Sequence, residues 1–69
     1  MVDTLKLKEV LLDKGIAQKE LAESIGMKPS TFHKKIEGEG ASFTIGDIQR
    51  MVQVIPLTKD EAAAIFLTL

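Results

Sequence analysis

The stretch that decides the fold is "QKELAESIGMKPSTFHKKIE", Gln18 to Glu37. In its first half Leu21, Ala22 and Ile25 share one helical face, and Gly26 is a stop signal. In its second half Pro29 suits a first helical position, where the missing N–H would have had no partner. Two short helices meet across a break of about three residues that contains a glycine, the layout of a helix-turn-helix. Ala22 is small enough for the second helix to cross closely over the first. Gly26 tolerates the positive φ that such a bend requires.

The second helix of the pair separates its chemistry by face. At about 100° per residue, Phe32 and Ile36 fall together and are expected to face the core. Ser30 and Lys34 fall opposite them. His33 and Glu37 lie on one flank, Thr31 and Lys35 on the other. Two apolar residues therefore pin the helix, and its outer face offers hydroxyls, an imidazole and ammonium groups. Those are donors suited to base edges and phosphates in a major groove.

Working outward, the rest of the chain reads as three more helices. Leu7, Val10 and Leu11 repeat at helical spacing in the first, with Asp3 or Thr4 as cap and Gly15 as terminator. Ile16 and Leu21 are spaced as a hydrophobic staple, but Ala17 stands at the cap position of the second helix and is a poor capper. After the loop "EGEGAS", Thr44 and Asp47 stand at capping-box spacing, with Ile45, Ile48, Met51, Val52 and Ile55 as the expected buried stripe of the fourth helix. Pro56 ends it. Thr58 and Glu61 form a capping box for a fifth helix with an apolar face of Ala62, Ile65, Phe66 and Leu69. No alternating strand pattern competes. The expected fold is all-α: one compact five-helix domain over residues 1–69, with the helix-turn-helix at about 18–37.

Composition narrows the function. With no cysteine and a single histidine, His33, cysteine chemistry and a histidine-built metal centre are excluded, and no cofactor is expected. No nucleophile is paired with a base, so an enzyme is not expected. No apolar run approaches the roughly 20 residues of a membrane span, and no signal segment is visible, which makes a cytoplasmic location the expectation. The net charge of −1 is a blunt measure, since binding depends on where charges lie. The front of the chain, to Gly38, holds seven of the nine basic residues.

The segment "QKELAESIGMKPSTFHKKIEG" resembles the helix-turn-helix of lambda-repressor-like, Cro-type phage regulators of the Xre family. The matching pattern is Gln18, "ELA" at 20–22, Gly26, "ST" at 30–31, Phe32, Ile36 and Gly38. The likeness extends from Leu5 to about Ile55. It implies a five-helix domain that binds operator DNA, usually as a symmetric dimer. It also implies that Gln18 opens the second helix beside a phosphate, and that positions 29, 30 and 34 approach bases. Pro29 departs from the glutamine-rich readers and has no donor; Ala17 departs from the usual Ser or Thr cap.

The expected function is thus a sequence-specific regulator of transcription, a Cro-like repressor from a phage or prophage. Ser30, Thr31, His33 and Lys34 are the expected base contacts. Gln18, Lys19, Lys28 and Lys35 are the expected phosphate contacts. A homodimer is expected to pair through Phe43, Phe66, Leu67 and Leu69; no small-molecule ligand and no membrane are expected as partners. Each residue also has a plainer reading: Lys34 and Lys35 as a solvated face, Ser30 and Thr31 as first-turn hydroxyls, Gln18 as a good helix former, Phe43 as core. The alternative function is a helical protein-interaction module, antitoxin-like or an adaptor, which the low net basicity favours.

Overall fold

A computed structural model describes residues 2–38 and 40–67. Among them the chain is all-helical, with α1 (Thr4–Asp13), α2 (Gln18–Ser24), α3 (Pro29–Glu37), α4 (Ile45–Val54) and α5 (Lys59–Phe66). None of these helices is long and apolar enough to cross a membrane.

Local chemistry sets most of the boundaries. Asp3 caps α1 by accepting from the Lys6 amide at 3.0 Å. Thr44 and Asp47 exchange hydrogen bonds at the start of α4, and Thr58 and Glu61 do the same for α5. Each pair satisfies two amides that a helix start leaves without an internal partner. Ala17 has no side-chain acceptor, so α2 keeps only the return half of a box, from the Ala17 amide to Glu20 at 3.3 Å. The α2–α3 bend is a Schellman motif: the Met27 amide donates to Ala22 O and the Gly26 amide to Glu23 O, with Gly26 at φ +73°. Ile55 is extended before Pro56, as the proline requires.

The core gathers Leu7, Val10 and Leu11 of α1, Leu21 and Ala22 of α2, Phe32 and Ile36 of α3, Met51 of α4, and Ile65 and Phe66 of α5. α2 packs on α3 and α4, and α1 packs on α5. The α1–α5 pair runs antiparallel. Asp3, before α1, donates its amide to Ile65 O near the end of α5, and Lys14, after α1, meets Glu61 at 3.2 Å in the first turn of α5. The α3–α4 loop folds back on the N-terminal segment at Gly40. A β-carbon there would lie 2.8 Å from Val2 Cβ, and φ is +75°, so only glycine fits without a shift.

Two expectations about the core are corrected. Ile45 and Val52 are not buried: they are 77% and 43% exposed, because α4 turns Met51 inward and leaves their side of the helix uncovered. Phe43 and Phe66 do not form a pairing surface. Both are buried, Phe43 with its ring edge against Phe32 at a centroid distance of 5.6 Å. Leu67 is 75% exposed, and Leu69 lies outside the described residues.

Candidate nucleic-acid interface

The outer side of α3 follows from the inner one. Phe32 and Ile36 are 1% and 3% exposed, so the helix cannot roll about its axis. Ser30, Thr31, His33 and Lys34 are all exposed on the remaining surface. α3 starts with Lys28 as its cap residue, which makes no side-chain capping bond. By contrast, α1, α4 and α5 each have a capping side chain. The first-turn amides of α3 therefore retain their donor capacity and the positive end of the helix dipole. Lys19 and Lys28 are exposed, and Gln18 is half-buried at the first position of α2. The expected base-facing set is thus on one exposed surface, with Lys28 at the entrance to the same helix.

Two of the expected contacts, His33 of the base set and Lys35 of the phosphate set, already have partners. His33 Nε2 lies 2.8 Å from Glu37 Oε1 in an exposed pair one turn apart, so a base contact through Nε2 has to displace or share that carboxylate. Lys35 departs from the expectation that it contacts phosphate. Its ammonium is 2.9 Å from Asp47 Oδ2, its side chain is only 20% exposed, and it lies 5.8 Å from the Phe43 ring centroid. Lys35 fastens α3 to α4 instead of standing free on the surface.

Asp47 is the hub of that fastening. It is the one charged residue buried among the described residues. Oδ2 accepts from the Thr44 amide and from Lys35, both at 2.9 Å, and Oδ1 accepts from Arg50 Nη2 at 2.9 Å. Burial alone would raise its carboxyl; the Thr44 amide, the Lys35 ammonium, the Thr44 hydroxyl and the Arg50 guanidinium together outweigh burial and lower it to about 2. Sequence spacing revealed the Thr44–Asp47 box. It gave no sign of Lys35, which lies on another helix; Arg50 stands three residues on from Asp47, at ion-pair spacing but outside the capping pattern.

A pH prediction follows. The carboxyl titrates at about 2 when folded, against an ordinary 3.8. Its stabilisation, on the order of 2 kcal/mol, is therefore fully present above about pH 4 and lost as pH falls through about 2. Melting temperatures of the wild type and Asp47→Asn, compared across that window, should converge as the solution is acidified. Parallel curves at all pH values would contradict the role given to the carboxylate.

No protein-family model matches the chain, and neither a curated protein nor a solved structure matches it.

Proposed function

We propose that this chain is a sequence-specific double-stranded DNA-binding regulator, a Cro-like repressor, in which α2 and α3 form a helix-turn-helix and α3 enters the major groove. The observation that carries the reading is the division of α3. A pinned apolar side sits opposite an exposed side of Ser30, Thr31, His33 and Lys34. Lys34 can donate to guanine O6 or N7, and Ser30 can donate to or accept from either pair. The uncapped amides at the start of α3 suit a phosphate oxygen, which would take the place of a capping side chain.

Size supports binding as a symmetric pair. The longest dimension of the Cα trace is 28 Å, whereas successive major grooves on one side of the duplex repeat at about 34 Å. One copy reaches one half-site, and a two-fold pair reads a near-palindrome. A protein-interaction module is the second reading. Its specific support is the exposed apolar side chains Leu5, Leu12, Ile45 and Leu67, each at least 75% exposed.

Selection of bound duplexes from a random pool at fixed salt separates the two. The DNA reading predicts recovery of a near-palindrome; the interaction module predicts no enrichment. On the recovered duplex, Lys34→Ala should weaken binding by about 1–3 kcal/mol and relax preference at one base pair. A uniform loss on all duplexes would reassign Lys34 to phosphate, and no loss would leave it a solvated lysine.

A further inference from the structure

We infer that Arg50, on α4, grips a DNA backbone phosphate beside α3, held in position for that contact by Asp47. The inference rests on the DNA-binding reading above and deepens it by adding a contact outside the two helices of the motif.

The geometry has three parts. First, Asp47 bridges α3 and α4, with Lys35 on one oxygen and Arg50 on the other, each at 2.9 Å. Two cations and one anion leave this trio with one net positive charge. Second, the two cations differ in access. Lys35 is 20% exposed in its side chain and faces inward, whereas Arg50 is 53% exposed. A guanidinium has five N–H donors, and the Asp47 contact occupies only one edge of the fork. The guanidinium lies beside Gly46, where a β-carbon would sit 3.5 Å from Nη1 and 3.7 Å from Nη2, so the missing side chain leaves that edge uncrowded. Third, the trio lies on the flank of α3. Lys35 is one residue, about 100°, round the helix from Lys34. A helix seated in the major groove with Lys34 toward the bases turns its flanks toward the phosphates that border the groove.

The fold makes limited use of Arg50. Without it, Asp47 would keep the Thr44 amide and Lys35. Arg50 is half-exposed and the smallest of the influences that lower the Asp47 carboxyl, so the fold depends on it less than on the Thr44 amide and Lys35. A guanidinium fixed at one edge by a buried carboxylate loses less side-chain freedom when it meets a planar anion than a free lysine does.

The test measures affinity for the selected duplex as a function of salt, with Arg50→Gln as the main variant. Glutamine keeps an amide donor for Asp47 and removes the charge, and a circular-dichroism melt verifies that the variant folds. A steep slope of log affinity against log salt in the wild type, shallower by about one per subunit in Arg50→Gln and regained in Arg50→Lys, would support the inference. A steep wild-type slope left unchanged by Arg50→Gln would overturn it while leaving the DNA-binding reading intact. A flat wild-type slope would overturn both. A variant with a lower melting temperature but an unchanged slope would make Arg50 a structural partner of Asp47 only.

Discussion

A Phe32→Ala variant is expected to lose about 3–5 kcal/mol of stability. Phe32 is 1% exposed and stands among the largest fully buried side chains. It joins α3 to the rest of the core through its edge-on contact with Phe43. Truncation would open a cavity where α2, α3 and the α3–α4 loop meet. A chain of 69 residues has roughly 3–10 kcal/mol in total at typical values per residue, so one such cavity removes much of it. Urea denaturation measures the loss as a fall in midpoint relative to the wild type. Lys34→Ala, two residues away on the exposed side, should change stability by no more than about 0.5 kcal/mol. A Phe32→Ala midpoint shift that converts, at about the usual slope, to less than about 1 kcal/mol would mean that α3 is not held by this side chain. The split between its inner and outer sides would then fail.

The contrast between these two residues shows which parts of the molecule the sequence makes legible. Signals that act within a few residues read through directly. Asp3, Thr44 and Thr58 cap their helices, Pro29 opens α3, Gly26 takes the left-handed bend, and Pro56 follows the end of α4. Phe32 and Ile36 were also legible, because a nine-residue helix with two apolar residues four apart has one side to bury.

α4 was harder for a physical reason. It has apolar residues over a broad arc, and periodicity alone does not say which part of the arc meets other helices. Met51 is fully buried, while Ile45 and Val52 at the edge of the arc are exposed. Phe66 belongs to the apolar side of α5 and is buried there, which leaves it no part in a pairing surface. Phe43 takes the core place that was one of its two readings; a loop has no period to decide between them.

At the Asp47 hub the capping box was legible, but the link to α3 was not. Lys35 and Asp47 are twelve residues apart, in different helices. A lysine on the flank of a recognition helix looks alike in sequence whether it meets a phosphate or a carboxylate. The exposed positions Ser30, Thr31, His33 and Lys34 were legible as a set, since they are what remains once the buried side is fixed. The pairing of His33 with Glu37 follows from their four-residue spacing.

The second large effect concerns salt. If each subunit neutralises a few phosphates through Lys19, Lys28 and Arg50, aided by the open amides of α3, a dimer makes about 6 to 10 such contacts. Affinity should then fall on the order of a thousandfold or more between about 50 and 200 mM salt. That loss reports counterion release and is independent of sequence. On the proposed reading, discrimination between duplexes would come from Ser30, Thr31, His33 and Lys34, and should change far less over the same range. The net charge of −1 makes this a demanding expectation, because only a local arrangement of cations can produce so steep a response.

The most direct test of the account is therefore a fluorescence-anisotropy titration of the selected duplex and a scrambled duplex of equal length, repeated across that salt range. Both affinities should fall steeply and nearly in parallel, with the selected duplex remaining tighter by at least about a thousandfold. Equal binding to the two duplexes, or an affinity that does not respond to salt, would contradict the claim that α3 reads DNA.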